Sequence, residues 1–310
     1  MDCLVGYTGF VGSNLASSNP FDVKVNSKNV NLAFDNSFDL VVYAGVRAEK
    51  HIANKHPEYD KEIINQAIDN ISRIKCKKFV LISTIDVYPF PENVSEQSEI
   101  DDSVLQPYGA NRFYLEQWVR ANIKDALIVR LPALYGENIK KNFIYDMINP
   151  QPAMLKSDVY NDIKLKHPNF EIDHFYELAD NNMYKVKSLS VSEKKIAADF
   201  FEKNGPNSIF FTDSRNIYQF YPLAFLWQHI QFALEKNISL LNLATEPVSA
   251  SELHQYIFNR PFTNEFLPNP VQYDMHSQYA EEFAAQQHYF YDKAFLLQNI
   301  KEFVLNRKFS

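Results

Sequence analysis

The stretch Val5-Gly6-Tyr7-Thr8-Gly9-Phe10-Val11-Gly12-Ser13-Asn14-Leu15 places three glycines in seven positions of a chain that holds seven glycines among 310 residues. Glycine loses more backbone freedom on folding than any other residue, so a chain that rations it and then clusters it is keeping side chains out of the way. A glycine-rich turn between a strand and a helix lets backbone N–H groups and the positive end of the helix approach a phosphate. The chemistry is that of a dinucleotide cradle, with Gly6, Thr8, Gly9, Phe10, Val11 and Gly12 around the pyrophosphate. A tight turn that holds nothing is the alternative. Eight histidines and two cysteines, Cys3 and Cys76, show no metal-ligand spacing, so no metal is expected and both thiols read as buried and unpaired.

Such a turn needs a first strand, Asp2 to Val5, and a helix, Ser13 to Ser18, stopped by Asn19-Pro20. Further short apolar runs follow at Val23 to Asn26, Leu40 to Tyr43, Phe79 to Ser83 and Ala126 to Arg130. Helical segments lie between them at about Glu58 to Lys75 and Tyr108 to Ile123. Unbroken apolar runs alternating with helices predict a doubly wound parallel α/β sheet of Rossmann type, covered on both faces. Residues 1–148 form that domain, and the chain returns to it at about 217–246. A smaller, mostly C-terminal substrate-binding lobe takes 149–216 and 247–310. Residues 150–190 read as polar, aromatic and helix-poor, and Ser192 to Lys203 as a helix ended by Asn204-Gly205-Pro206.

The bulk numbers, 46% hydrophobic, 22% charged and a formal net charge of -7, disfavour a nucleic-acid partner. No window approaches the roughly 18 apolar residues of a membrane span, and the first strand begins too early for a signal peptide, so a cytoplasmic location without membrane contact is expected.

Five segments in order carry a family likeness. They are the glycine turn in its GxxGxxG spacing, Val42-Tyr43-Ala44-Gly45, Leu81-Ile82-Ser83-Thr84-Ile85-Asp86-Val87-Tyr88, Pro107-Tyr108-Gly109-Ala110-Asn111-Arg112, and Arg130-Leu131-Pro132-Ala133-Leu134-Tyr135-Gly136. With them the chain resembles an extended short-chain dehydrogenase/reductase of the NAD-dependent epimerase/dehydratase family. Asn242 to Leu253 is similar to that family's late segment, and Ser249 with Glu252 reads as a capping box. The likeness is strong over residues 1–136 and weak over 137–216. Asn26 to Leu32, Ile52-Ala53-Asn54 and Ser83 to Pro89 look most like GDP-fucose synthase and related 4-keto-sugar reductases.

The resemblance implies hydride exchange between a nicotinamide and a nucleotide-linked sugar, as reductase or epimerase, in a homodimer built on the helices containing Ile63 to Lys75 and Tyr108 to Ile123. Tyr108 is the implied proton donor or acceptor, and Thr84 reaches the same substrate oxygen. Asp86 takes the position of an extra acid/base group, or is a turn residue. Ala44, Gly45, Leu131 and Pro132 are implied beside the cofactor. No acidic residue closes the second strand, and Ser27 with Lys28 stands there instead, which favours NADP with NAD as the alternative. Lysine is the usual partner one helical turn after the tyrosine. Here it is Arg112, which keeps the charge but never deprotonates, so a proton route through it is closed. The family's arginine and acids are also missing from Tyr218 to Ala224. These departures keep a second possibility open: an NAD(P)-binding scaffold or redox-sensing regulator with impaired catalysis.

Overall fold

A computed structural model describes residues 1–34, 36–179, 182–283 and 287–308. The chain divides into two compact units. The first comprises Met1–Ile139, Ile217–Val248 and Val271–Leu296, and the second Lys140–Asn216, Ser249–Pro270 and Leu297–Ser310. No helix among the described residues is long and apolar enough to cross a membrane.

The first unit begins with β1 (Asp2–Val5), α1 (Phe10–Ser18), β2 (Val23–Val25), β3 (Ser37–Tyr43), α2 (Lys50–Lys55), α3 (Pro57–Ser72) and β4 (Lys75–Thr84). It continues through β5 (Glu92–Val94), α4 (Pro107–Asn122) and β6 (Ala126–Leu131). Its main sheet has six strands, ordered β2, β1, β3, β4, β6 and Leu240–Asn242, each pair parallel. Strand order reverses at β1, since β2 lies on one side and β3 on the other. Open sheets of this kind bind ligands outside the carboxyl ends of the strands at the reversal, where the turn after β1 lies.

Side chains alternate between the two faces, and both faces are covered. Leu40 and Val42, Val80, and Leu127 and Val129 share one core with Leu15 of α1 and with Leu226, Ile230 and Ala233 of the helix Leu226–Glu235. Val41 and Tyr43, Phe79 and Leu81, and Ile128 share the other core with Ile64, Ala67 and Ile71 of α3 and with Leu115 and Val119 of α4. Spacings of three and four residues set these helical positions on one stripe. Complete burial of Ile64 and Ile71 contributes roughly 2–3 kcal/mol apiece.

β3 and β4 start earlier than their apolar runs predict, because Ser37 pairs with Lys75 and Phe38 with Cys76 at the amino end of the sheet. There the backbone ladder continues after one face has met solvent. α1 also starts earlier, at Phe10, with extended Gly9 as its N-cap.

In the second unit, strands Met154–Lys156, Met183–Val186 and Tyr176–Leu178 form an antiparallel sheet. Leu155, Tyr160, Ile163, Phe175, Ala197 and Phe201 make its core. The helix Ser157–Lys166 corrects the helix-poor reading of 150–190. Its buried stripe is only Tyr160 and Ile163, too narrow to stand out from a polar background, and tertiary packing supplies the rest. The helix Val191–Asn204 opens with a capping box of Ser190 and Glu193 and stops at Gly205, whose φ is 56°.

Candidate active site

The turn after β1 is tightly built. Gly6 has a φ of 89°, and a Cβ there would lie 2.5 Å from the Ala44 carbonyl oxygen. A Cβ on Gly12 would lie 2.1 Å from the Gly6 carbonyl oxygen. Both glycines are therefore demanded by packing, the first of the β1 turn on the β3 turn and the second of α1 on its own entry. Gly9 differs. A Cβ there would lie 3.3 Å from the Gly6 carbonyl oxygen, tight but far less severe than at Gly6 or Gly12, so packing demands glycine least at this position. The first N–H groups of α1 have no intrahelical acceptors, and its cap offers no side-chain hydrogen bond. Exposed Thr8 and Gly9 and half-buried Phe10 and Val11 frame this end. An exposed Gly9 without a side chain, beside the first amide donors of α1, fits a pyrophosphate.

Ala44 and Gly45 follow β3 directly, and Gly45 is exposed. Ser27 and Lys28 are exposed in the turn after β2, where the Asn26 side chain accepts from the Lys28 N–H at 2.9 Å. Leu131 and Pro132 are buried where β6 ends.

At the carboxyl end of β4 the chain enters a short 3-10 turn, Ile85–Val87, and α4 is packed hard against it: a Cβ on Gly109 would sit 2.0 Å from the Asp86 carbonyl oxygen. That contact sets Tyr108, 7% exposed, beside Thr84 and Asp86. The Thr84 side chain faces the Tyr108 phenol and lowers its pKa. Thr84 Oγ1 accepts from the Asp86 N–H at 3.2 Å and reaches Asp86 Oδ2 at 3.5 Å. Lys50 Nζ, from the first residue of α2, donates to Asp86 Oδ1 at 2.7 Å and to the Tyr273 hydroxyl at 3.3 Å. Asn54 of the same helix accepts from the Tyr108 N–H at 2.9 Å, so α2 and the start of α4 are tied together.

Lys50, Thr84, Asp86, Pro132, Tyr218 and Tyr273 line a cavity of about 200 Å³. Gln219 also borders it, but its amide is spent on the Thr245 and Met275 backbone. Burial raises the Tyr108 phenol above its ordinary value. The Arg112 charge lowers it, Asp86 raises it, and Lys50 and the Thr84 side chain lower it; the net direction is up. Tyr108 therefore carries its proton at neutral pH, the form needed to give one to a carbonyl oxygen.

Arg112 is buried. Its guanidinium pairs with Asp60 of α3, donates to the Arg47 carbonyl at 2.6 Å, and lies over the Tyr108 ring with Cζ 3.9 Å from the centroid. Asn111 also donates to Asp60, at 2.8 Å. Arginine at this position is thus seated on the face of the tyrosine ring by its own carboxylate.

Of the expected site residues, the structure brings together Tyr108, Thr84, Asp86 and Arg112. Lys50, Asp60, Tyr218 and Tyr273 were not expected. Asp60 and Lys50 meet partners 52 and 36 residues away, a separation at which no periodicity operates. A carboxylate is required only because Arg112 is buried, which the sequence does not show.

A second charged network lies beneath the site. Glu116 of α4 accepts from Arg130 Nη2 at 2.6 Å and from Ser83 Oγ at 2.5 Å, and Arg130 Nη1 donates to the Tyr88 hydroxyl at 2.7 Å. It links β4, α4 and β6, and so fixes the helix that presents Tyr108.

The family model described as RmlD substrate binding domain matches residues 7–164. No curated protein matches the chain. Among solved structures it is similar to a dTDP-4-dehydrorhamnose reductase of Clostridium acetobutylicum, at 16% identity and a TM-score of 0.60, covering 98% of this chain and 100% of that one. A dTDP-4-dehydrorhamnose reductase of Bacillus anthracis in complex with NADP gives 14% identity and a TM-score of 0.60, over 98% and 97% of the two chains. RMD from Pseudomonas aeruginosa, complexed with NADPH, gives 14% and 0.60 over 100% and 99%. The Rossmann-type α/β fold is common to all of them. The chain belongs to the RmlD substrate binding domain family, within the extended short-chain dehydrogenase/reductase group.

Proposed function

We propose that this protein is an NADPH-dependent reductase of a nucleotide-linked 4-keto sugar, with Tyr108 as proton donor. The observation that carries the reading is the burial of Tyr108 beside Thr84 and Asp86 at the carboxyl end of β4, where α4 packs on the Ile85–Val87 turn. NADP and NADPH in the similar structures support the cofactor. Gly6, Thr8, Gly9, Phe10, Val11 and Gly12 hold its pyrophosphate, Ser27 and Lys28 its 2'-phosphate, and Ala44, Gly45, Leu131 and Pro132 the rest of the molecule. When bound, the cofactor supplies the hydride. Thr84 and Tyr108 together orient the ketone oxygen, and Tyr108 protonates it as the alcohol forms. Arg112, stacked on the ring, keeps the phenol from rising further.

The sugar nucleotide is assigned to the smaller lobe, expected at 149–216 and 247–310, less residues 271–296, which belong to the first unit. A homodimer through α3 and α4 and a cytoplasmic location complete the reading; exposed Tyr59 and Tyr114 on these helices support an interface there.

The test is a titration with NADPH and NADH following nicotinamide fluorescence, with Gly9→Asp as control, and then NADPH oxidation in the presence of dTDP-4-dehydrorhamnose. Binding of NADPH that is lost in G9D, with oxidation that is lost in Tyr108→Phe, is the expected result. A second reading, a cofactor-binding scaffold without turnover, is favoured by the burial of Arg112 on Asp60. Binding without oxidation would select it, and binding of neither nucleotide would end both.

A further inference from the structure

We propose that Lys50 and Asp86 form the route by which Tyr108 recovers its proton after each turnover, in place of a route through Arg112. The inference rests on the reductase reading above and names the residues that reset its proton donor.

A buried tyrosine that gives up its proton must be recharged, and Tyr108 is closed off on the ring side. There the guanidinium of Arg112 is bound to Asp60 and to the Arg47 carbonyl, and arginine does not release a proton. On the hydroxyl side polar side chains follow one another outward. The Tyr108 phenol faces Thr84, Thr84 Oγ1 reaches Asp86 Oδ2 at 3.5 Å, and Asp86 Oδ1 accepts from Lys50 Nζ at 2.7 Å. The Lys50 side chain is 47% exposed, so the chain of contacts ends at solvent. Lys50 is not a free surface lysine, because α2 is anchored through Asn54 to the Tyr108 N–H and Lys50 Nζ also meets the Tyr273 hydroxyl.

The step balances. As hydride reaches the carbonyl carbon, the Tyr108 O–H bond breaks and the ketone oxygen takes the proton, leaving the alcohol and a phenolate. Asp86 first takes a proton from the Lys50 ammonium, then gives it to Thr84 Oγ1 as Thr84 passes its own hydroxyl proton to the phenolate, so that Tyr108 and Thr84 end protonated, Asp86 ionised again and Lys50 a neutral amine. Water recharges the Lys50 amine. One solvent proton is consumed per ketone reduced. The groups facing Lys50 are Asp86 and Tyr273, and those facing Tyr108 are Arg112, Asp86, Lys50 and Thr84. The Lys50 ammonium is held above its ordinary value by Asp86 and Tyr273, against burial, so it is fully recharged at neutral pH.

Lys50→Met, Lys50→Arg and Asp86→Asn are compared with the wild type using NADPH and dTDP-4-dehydrorhamnose. The expected split is a first turnover within about threefold of wild type and a steady-state rate roughly 10²-fold lower in all three. K50R decides between a charge and a route, since it keeps the cation but cannot pass a proton. A K50R rate equal to wild type would overturn the proposal, as would an unchanged steady state in K50M. Added methylamine is expected to restore turnover to K50M and not to D86N. A readout without cofactor follows Tyr108 by carbon-13 tyrosine spectra, assigned with Tyr108→Phe. In K50M its phenol titrates at higher pH, while Lys55→Met leaves it in place; no movement in K50M would count against the proposal. Failure of the wild type itself to bind NADPH or to turn over would instead sink the reductase reading.

Discussion

Ser83 and Thr84 are adjacent hydroxyls at the end of β4, and each leads to a carboxylate paired with a cation, yet the two pairs are built for different ends. Ser83 donates to Glu116, whose carboxylate is fully buried and gripped by Arg130, itself satisfied by Tyr88. Thr84 leads to Asp86 and Lys50, whose side chains are 20% and 47% exposed. In the dry pair every donor and acceptor is spent on a neighbour, so its charges hold β4, α4 and β6 in register and do nothing else. The wet pair opens on a cavity and on solvent, so its protons can move.

The sharpest way to break this comparison is Glu116→Leu. Arg130 would then be buried without a carboxylate, and the expected loss is about 3–5 kcal/mol, read as a lower midpoint in urea. Glu116→Leu with Arg130→Met should regain most of that loss, because the cost lies in the orphaned charge. A single mutant as stable as wild type would show that Arg130 reaches solvent and that the enclosure argued here is wrong.

Acid probes the enclosed side without a mutation. His229 lies in the apolar core beneath the sheet with Nδ1 2.5 Å from the Tyr221 hydroxyl, and burial lowers its pKa from 6.5 to about 4. Above pH 6.5 the imidazole is neutral in both folded and unfolded chains and stability does not depend on it. As pH falls from 6.5 towards 4 the unfolded chain binds the proton first, so stability drops by up to roughly 3 kcal/mol and then levels. His229→Gln is expected to flatten that part of a stability-versus-pH curve. An unchanged slope would assign it to other groups.

Gly109→Ala tests the joint between the two pairs, since a methyl group there would lie 2.0 Å from the Asp86 carbonyl oxygen. Either α4 or the Ile85–Val87 turn must shift, at roughly 1–3 kcal/mol. Because the shift parts Tyr108 from Thr84, ketone reduction should fall further than stability does. The opposite order would mean that the joint serves packing alone.

How much of this was legible follows from distance along the chain. The sheet was readable because strands covered on both faces are continuous apolar runs, and α3 and α4 because their buried stripes repeat locally. Tyr108, Thr84 and Asp86 stood out through their order among other motifs. Gly6, Gly9 and Gly12 were visible as a cluster, but how strongly packing demands each of them required the space around it. The salt bridges were not readable: Asp60 sits in α3 as one more acidic first-turn residue, and Lys50 in a six-residue helix with one buried residue. Their partners are chosen by how α2, α3 and α4 pack. Arg112 looked like a departure that weakens the site because its carboxylate could not be seen.

The smallest expected effect concerns the wet pair's stability. Lys50→Met breaks an ion pair whose cation is half exposed, and such pairs contribute about 0–1 kcal/mol, since solvent already screens most of the attraction. Asp86 keeps the Tyr273 hydroxyl at 3.3 Å and gains water, so it is not left as a buried orphan in the way Arg130 would be. The urea midpoint of K50M should therefore stay close to wild type while E116L moves far. A loss from K50M approaching that of E116L would place Lys50 among the structural charges, and the contrast between an enclosed pair and an open one would fail at this residue.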